Sequence, residues 1–276
     1  MTPFQDGAVD HPALARLVRH LAAQGVAGFV ACGSTGEAAM LSAAEQDAVL
    51  ATVLRAAGAL PVWMGLAGVQ PQAVAQRARQ LADADALAGF LLAPPAYVRP
   101  SQGGLADFFA QVADAAPRPL IVYDVPARSG VRIEPATLLA LAAHPNIVAV
   151  KDCSGDRAAA EAILADGRLA LLAGNDDELF DQLARGAAGG ITASAQVDAP
   201  AFVALAQALQ AGRIAEARVA WRRLYPLTRA LFAEPNPAPI KALLARQGWL
   251  GDELRAPLQP ASAAAADAAL ALLPNA

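Results

Sequence analysis

The chain has 276 residues, of which 56% are hydrophobic and 17% charged, with a formal net charge of −4. That length can form one barrel-sized domain with a large core. The acidic balance, without a basic stripe, argues against a nucleic-acid partner, and no apolar run predicts a membrane span. Two cysteines, Cys32 and Cys153, are too few for a disulfide framework, which favours a reducing compartment and predicts a cytoplasmic protein.

Seven short apolar runs alternate with alanine-rich segments of helical character. Each run is continuous rather than alternating, as in parallel strands that are covered on both faces. The runs are residues 28–32, 61–65, 89–93, 120–123, 147–151, 169–173 and 190–193. Strand then helix, repeated, predicts a parallel sheet with right-handed crossovers, and the expected fold class is α/β, a (β/α)8 TIM barrel.

The two ends of the chain depart from this repeat. A barrel needs eight strands, and only Thr2-Pro3-Phe4 stands where the end of the first would lie, so we expect a truncated first strand. Beyond about residue 198 the strands stop, and helices are predicted over 201–210, 214–232 and 239–247. We therefore expect a barrel over 1–198 and a helical extension over 199–276 that packs on it.

Lys151 is the first candidate for chemistry, because it ends the apolar run 147–150 and reactive residues of such barrels lie at the C-terminal ends of strands. It is one of only two lysines among 21 Lys and Arg residues. An ammonium in apolar surroundings loses hydration, which lowers its pKa, and a neutral amine attacks carbonyl groups to form imines. The alternative is a lysine paired with Asp152 or with another carboxylate at the barrel rim.

Other strand ends carry groups that suit the same chemistry. Tyr123 lies one strand away from Lys151 and can move protons. Arg128 has the forked geometry that binds carboxylates, and Gly33-Ser34-Thr35-Gly36 offers hydroxyls and backbone N–H groups for an anion. Each has a simpler alternative: Tyr123 as an ordinary aromatic residue at the barrel rim, Arg128 as one half of a surface ion pair, and residues 33–36 as a glycine-rich turn.

Several other chemistries are disfavoured. The three histidines lie away from the strand ends, which argues against a histidine-ligated metal and against a Ser-His-Asp triad: His11, His20 and His144. Cys153 has no histidine nearby, so an inert thiol is favoured. Glu37, Asp176 and Asp177 can act as acids or bases, but acidic residues at such turns are more often structural.

Four strings fall in order and spacing along the chain: Gly33–Glu37, Tyr123–Gly130, Val150–Asp152 and Ser154–Asp156. With them, nearly the whole chain resembles the dihydrodipicolinate synthase and N-acetylneuraminate lyase family of pyruvate-dependent class I aldolases. The resemblance implies that Lys151 forms an imine with pyruvate and that Tyr123, Ser34 and Tyr97 relay protons, with Tyr97 reaching across a tight dimer. It also implies substrate-binding residues: Gly33, Thr35, Gly190 and Ile191 for pyruvate, and Arg128 for the carboxylate of the aldehyde.

The resemblance favours the synthase branch, in which pyruvate condenses with L-aspartate 4-semialdehyde to give 4-hydroxy-tetrahydrodipicolinate for lysine and diaminopimelate biosynthesis. Arg128 and the segment Glu234–Lys241 match that branch, whereas Ser34 stands where synthases usually have threonine and lyases often have serine. Two alternatives stay open. One is a related aldolase, lyase or dehydratase acting on 2-keto-3-deoxy sugar acids, N-acetylneuraminate or 4-hydroxy-2-oxoglutarate, and the other is a non-catalytic keto-acid-binding protein.

The resemblance further implies small-molecule substrates, a homodimer or homotetramer, and neither a metal nor an organic cofactor. Five positions where lysine-inhibited members carry His, Asn, Glu or Tyr differ here: Ala43, Gln46, Val69, Ala73 and Ala96. We therefore predict that millimolar L-lysine leaves the rate unchanged, and an inhibition assay checks this prediction.

Overall fold

The computed structural model describes residues 1–81, 84 and 86–273. Strands in this part of the chain are β1 Phe4–Gln5, β2 Ala8–Val9, β3 Phe29–Ala31, β4 Val62–Leu66, β5 Leu87–Leu92, β6 Leu120–Asp124, β7 Ile147–Asp152, β8 Ala170–Ala173 and β9 Gly189–Gly190. Helices are α1 His11–Ala23, α2 Ala43–Ala57, α3 Pro71–Gln80, α4 Gln102–Ala115, α5 Pro126–Ser129, α6 Pro135–Leu141, α7 Arg157–Asp166, α8 Leu179–Arg185, α9 Ala199–Gln210, α10 Ile214–Leu231, α11 Ala238–Arg246 and α12 Ala263–Leu270.

The chain divides into two compact units, one formed by Met1–Val62 with Thr192–Ala276 and the other by Trp63–Ile191. In the second unit, strands β5 to β9 pair in parallel and in chain order. All five residues of β6 are buried, as expected for a strand with both faces covered. Each predicted apolar run contains an observed strand or overlaps one, although the last, β9, is only two residues long. The predicted boundary at residue 198 stays a prediction.

One glycine of the second unit permits a close approach between neighbours. A Cβ atom at Gly89 would lie 2.4 Å from the Pro119 carbonyl oxygen and 2.4 Å from the Trp63 ring. Phe90, the next residue of β5, donates its N–H to that same Pro119 oxygen at 2.8 Å. The glycine therefore lets β5 pair with the start of β6 while the Trp63 indole packs against the same position.

The first unit begins with a short antiparallel hairpin that the sequence analysis did not predict. Phe4 pairs with Val9 and Gln5 pairs with Ala8, so a two-residue loop joins the strands. The loop is Asp6-Gly7, with φ angles of 52° and 79°. Asp-Gly with positive φ at both positions is the sequence that favours a tight hairpin turn. Phe4 therefore lies in this hairpin, although we expected it at the end of a parallel strand.

Helices of the first unit start where the sequence indicates. The sequence Ser42-Ala43-Ala44-Glu45 forms a capping box at the start of α2, in which Ser42 and Glu45 exchange side-chain and backbone hydrogen bonds. Helices α9, α10 and α11 lie within two residues of the predicted ranges. Seven consecutive residues of α11, Ala238–Leu244, are buried. A helix that is buried all round forms part of the core, which explains why its lysine needs a partner.

Candidate active site

Tyr123 and Lys151 lie side by side at the ends of two neighbouring strands. The parallel register of β6 and β7 pairs these two residues directly. The Nζ atom of Lys151 is 4.3 Å from the centroid of the Tyr123 ring. Both strands are apolar up to these residues, so the amine and the phenol are the first polar side-chain groups at the two strand ends, and they lie next to each other. The two residues that the sequence singled out for imine chemistry are therefore in contact.

The surroundings of Lys151 favour its neutral form. Loss of hydration lowers its pKa, and the charge of Arg128 lowers it further, whereas Cys153 and Asp176 act in the opposite direction. Asp152 does not pair with it, since the carboxylate of Asp152 accepts hydrogen bonds from other groups. The alternative in which Lys151 is one half of an ion pair with Asp152 is therefore not observed, and the amine is available as a nucleophile.

Cys153 is a poor competitor for that role. Its thiol donates to the Tyr123 hydroxyl oxygen at 3.9 Å. Burial raises the pKa of the thiol to about 11, with smaller effects from Lys151 and Tyr123 in the other direction. A thiol that stays protonated at neutral pH is weakly nucleophilic, which agrees with the inert thiol expected from the sequence.

Two buried carboxyl groups lie next along the same strands. Asp124 and Asp152 are register partners, and both are almost fully buried. Asp152 accepts from Ser154 N–H at 2.8 Å, from the Ser154 hydroxyl at 2.6 Å and from Gln182 Nε2 at 3.1 Å. Asp124 accepts only from the Ile133 N–H, at 3.3 Å, and its second oxygen has no partner among the described residues. Burial, and then the charge of Asp152, raise the pKa of Asp124 to about 7.

Arg128 lies on the short helix α5, directly after β6. Pro126 suits the first turn of this helix, and Gly130, at φ 76°, ends it. The Arg128 side chain is exposed, and its charge acts on Lys151. A guanidinium beside an amine provides a place for the carboxylate of a second substrate.

Gly190 is the last residue of β9, and Ile191 follows it. Gly190 pairs with Ala173 of β8, and the Ile191 N–H donates to the Ala173 carbonyl at 2.8 Å. Since that N–H is already used within the sheet, Ile191 can offer a ligand only its carbonyl oxygen and its side chain.

Tyr97 has an unusual backbone and an exposed ring. Its φ is 75°, which is disfavoured for a bulky residue, and 95% of the residue surface is exposed. Such local strain costs on the order of 1–3 kcal/mol and collects at functional positions. Arg99, two residues on, also has a positive φ, of 46°. The loop therefore holds an aromatic side chain away from the rest of its own unit.

The first unit carries the loop Gly33–Glu37, which follows β3. Residues 34–36 form a single 3₁₀ turn that begins after Gly33, and Glu37 leaves it at φ 57°. Ser34 is exposed and Thr35 is half-buried. The first N–H groups of a helical turn have no acceptor within the turn, so this loop presents amides and two hydroxyls together.

The family model described as "Dihydrodipicolinate synthetase family" matches residues 1–276 of the chain. The chain belongs to the dihydrodipicolinate synthetase family. As a member of this family it is an enzyme, and the family relation agrees with the resemblance that the four sequence strings indicate.

Members of the dihydrodipicolinate synthetase family are similar over almost the full length. A 4-hydroxy-tetrahydrodipicolinate synthase of Methanothrix thermoacetophila is 37% identical over 266 residues, covering 95% of this chain and 90% of that protein. The 4-hydroxy-tetrahydrodipicolinate synthase 1 of Streptomyces coelicolor is 39% identical over 267 residues, covering 95% and 87%. Both relatives are therefore close to this chain in length as well as in sequence.

Solved structures of the family confirm the predicted fold class. The chloride-inhibited dihydrodipicolinate synthase of Acinetobacter baumannii, complexed with pyruvate, matches with a TM-score of 0.95 at 31% identity, over 99% of this chain and 94% of that chain. The enzyme of Aquifex aeolicus matches with a TM-score of 0.94 at 29% identity, over 99% and 94%. The chain is thus a (β/α)8 TIM barrel with additional C-terminal helices.

Two features of this family member were not identified from the sequence. Asn236 donates from Nδ2 to the Thr35 hydroxyl oxygen at 2.9 Å, although 201 residues separate them. The pairing of Asp124 with Asp152 across the two strands was also missed. The strand spacing could have indicated the second feature, because both aspartates come one residue after the Tyr123 and Lys151 positions.

Neither a metal-binding cluster nor a membrane-spanning helix is found among the described residues. No group of three or more His, Cys, Asp and Glu side chains in this part of the chain is placed to hold a metal ion. None of the described helices combines the length and apolar character that a bilayer crossing requires.

Proposed function

We propose that this enzyme condenses pyruvate with L-aspartate 4-semialdehyde to give 4-hydroxy-tetrahydrodipicolinate, a step of lysine and diaminopimelate biosynthesis. The observation that carries the proposal is the unpaired Lys151 amine in contact with Tyr123 at two adjacent strand ends. The names of the relatives, with 37% and 39% identity, supply the choice of the two substrates.

The first step joins the enzyme to pyruvate. The Lys151 nitrogen attacks the ketone carbon, and the carbonyl oxygen takes up a proton to give a carbinolamine. Loss of that oxygen as water leaves an imine, which protonation turns into an electron sink, so no added cofactor is needed. Tyr123, with Ser34 and Tyr97, supplies and removes the protons.

The second step forms the carbon–carbon bond. The methyl carbon of the imine loses a proton, and the resulting enamine attacks the aldehyde carbon of the semialdehyde, whose oxygen becomes a hydroxyl. The amino group of the semialdehyde then attacks the imine carbon and displaces the Lys151 nitrogen, which closes the ring. One water is released over the whole reaction, and the free enzyme is restored.

Two groups of residues are proposed to hold the two substrates. Residues proposed to hold pyruvate are Gly33, Thr35, Gly190 and Ile191. Arg128 is proposed to bind the carboxylate of the semialdehyde, since its exposed guanidinium lies close enough to affect the pKa of Lys151.

Tyr97 is proposed to complete the site of a neighbouring copy of the chain in a dimer. Its exposed ring and strained backbone support this role, because both features fit a side chain that is stabilised by a partner. Val69 and Val98 are also half exposed and suit the same interface. A dimer is required for this role, a tetramer is consistent with it, and the proposed location is the cytoplasm.

A coupled assay tests the proposal. Pyruvate, aspartate semialdehyde and excess dihydrodipicolinate reductase are mixed with the enzyme, and oxidation of NADPH is followed. We expect a rate that needs both substrates and that disappears in Lys151→Ala. A folded wild-type protein that gives no rate with both substrates contradicts the proposal.

Ser34 favours a second candidate, a lyase-type aldolase acting on keto-deoxy acids, because lyases of the wider family often have serine at this position. Arg128 distinguishes the two candidates. Arg128→Ala is expected to abolish use of the semialdehyde if the synthase proposal holds, whereas an unchanged rate favours the keto-deoxy acids.

A further inference from the structure

The segment Asn236–Lys241 contacts the loop Gly33–Glu37 at two points. Asn236 Nδ2 donates to the Thr35 hydroxyl oxygen at 2.9 Å, and Lys241 Nζ donates to Glu37 Oε1 at 2.5 Å. Each contact joins residues more than 200 positions apart. Both contacts lie within the first unit, so the loop and the segment that holds it belong to one compact body.

The ion pair fixes the end of the loop. Glu37 and Lys241 are both fully buried. The second carboxylate oxygen of Glu37 accepts from the Arg255 N–H at 3.1 Å, and Lys241 also donates to the Glu253 carbonyl at 2.7 Å. Because both charges are paired and hydrogen-bonded, the positive φ of Glu37 is held in place by its surroundings.

The contact with Asn236 sets the direction of the Thr35 hydroxyl. A hydroxyl has one proton to donate and two lone pairs that accept. The amide nitrogen of Asn236 occupies one lone pair and cannot accept a proton in return. No atom of the described residues accepts from the Thr35 hydroxyl, so its proton stays free for a ligand.

We propose that Asn236 is a positioning residue that turns the Thr35 hydroxyl proton toward the carboxylate of the keto acid, on a loop held by the Glu37–Lys241 pair. The inference rests on the proposed function, which places that carboxylate at the Gly33–Thr35 loop. It adds a specificity role to a segment that the sequence analysis used only to favour the synthase branch.

The test measures the pyruvate concentration that half-saturates trapping by borohydride, followed by mass spectrometry of the intact protein. Asn236→Ala is expected to raise this concentration about five- to tenfold, since an oriented hydrogen bond to a charged group is weakened. The nearly isosteric Asn236→Asp is expected to raise it further, because its carboxylate takes the Thr35 proton and repels the keto acid. Trapping of acetone, which has no carboxylate, is expected to be equal in wild type and Asn236→Ala.

Two controls separate positioning from folding. In a Thr35→Val background, Asn236→Ala is expected to have no further effect on pyruvate, because the hydroxyl through which it acts is gone. Gln247 is a matched amide in the same unit: its Nε2 donates to the Val197 carbonyl at 3.0 Å, and its oxygen is buried without a partner among the described residues. Gln247→Ala is expected to leave half-saturation unchanged.

The outcomes distinguish the two proposals. If the wild-type protein traps no pyruvate, both the proposed function and the role of Asn236 are overturned. If wild type traps pyruvate but Asn236→Ala half-saturates at the same concentration, or its effect persists in Thr35→Val, only the positioning role is overturned.

Discussion

The two lysines of this chain have opposite surroundings. Lys241 is fully buried, and its ammonium is paired with the Glu37 carboxylate and hydrogen-bonded to the Glu253 carbonyl. Lys151 is half-buried, and among the described residues it makes no ion pair. Loss of hydration lowers the pKa of both. At Lys241 a hydrogen bond to Glu37 and the charge of Glu37 oppose that change, whereas at Lys151 Cys153 and Asp176 oppose it through their charges alone.

The comparison indicates why we propose Lys151, and not the more deeply buried Lys241, as the nucleophile. A hydrogen-bonded carboxylate partner stabilises the charged form of an ammonium, whereas an amine without such a partner gives up its proton more easily, and the neutral amine is a nucleophile. The nearest aromatic ring does not distinguish the two lysines, since Lys151 lies over Tyr123 and Lys241 lies over Phe4 at similar distances, 4.3 and 4.4 Å. The difference is the direct hydrogen bond from Lys241 to the Glu37 carboxylate.

The largest effect is expected from Lys151. Lys151→Ala removes the nucleophile, and we expect the rate to fall by at least about a thousandfold. Lys151→Arg is the matched control, because it keeps a cation at the position but cannot lose its proton. Both variants are assayed with pyruvate and aspartate semialdehyde. Activity of the arginine variant near that of wild type contradicts imine chemistry.

Lys241 is expected to affect stability rather than chemistry. Lys241→Ala leaves the buried Glu37 carboxylate unpaired, which costs about 3–5 kcal/mol of unfolding free energy. Urea denaturation measures this change. In the double variant Glu37→Gln with Lys241→Met the unpaired charge is absent, so a smaller loss is expected. Equal losses in the single and double variants contradict the assignment of Lys241 as a cation paired with Glu37.

Asp124, in the unit Trp63–Ile191, is expected to make the unfolding free energy depend on pH. Its pKa is raised from 3.8 to about 7, so the unfolded chain gives up this proton at a lower pH than the folded enzyme. Its stabilising contribution is therefore complete below pH 3.8 and is lost as the pH rises through about 7. The slope approaches about 1.4 kcal/mol per pH unit between these values.

Asp124→Asn removes the proton that titrates and is expected to flatten that slope. The charged groups that act on Asp124 are Asp152, Asp156 and Arg132, and all three are kept in the variant. Unfolding free energies between pH 5 and 8 measure the difference. The same slope in wild type and variant shows that Asp124 is already ionised in the folded enzyme.

The smallest effect is expected from Cys153. Its thiol stays protonated at neutral pH, since burial raises its pKa to about 11. Cys153→Ala is therefore expected to change the rate by less than about threefold, as for the loss of a weak contact. A large loss of activity in this variant would indicate that the thiol takes part in the reaction, which contradicts this prediction.

Local patterns were enough to predict much of the fold and the centre of the site. The continuous apolar runs predicted the strands, and the position of Lys151 at the end of one of them predicted its place beside Tyr123. These inferences succeed because strand burial and strand ends depend on neighbours in sequence.

Contacts between distant residues were beyond the same reasoning. The hydrogen bond from Asn236 to Thr35 spans 201 residues, and no local signal marks which of many polar side chains will meet. The hairpin at Asp6-Gly7 was missed for another reason. Its turn signal was legible, but the regular barrel repeat led us to expect the end of a strand there.

Borohydride reduction in the presence of pyruvate, followed by peptide mapping, tests the contrast between the two lysines most directly. The result we predict is a reduced pyruvate adduct on Lys151 alone, with Lys241 unmodified in the same folded sample. An adduct on Lys241, or the absence of any adduct on Lys151, would contradict the account.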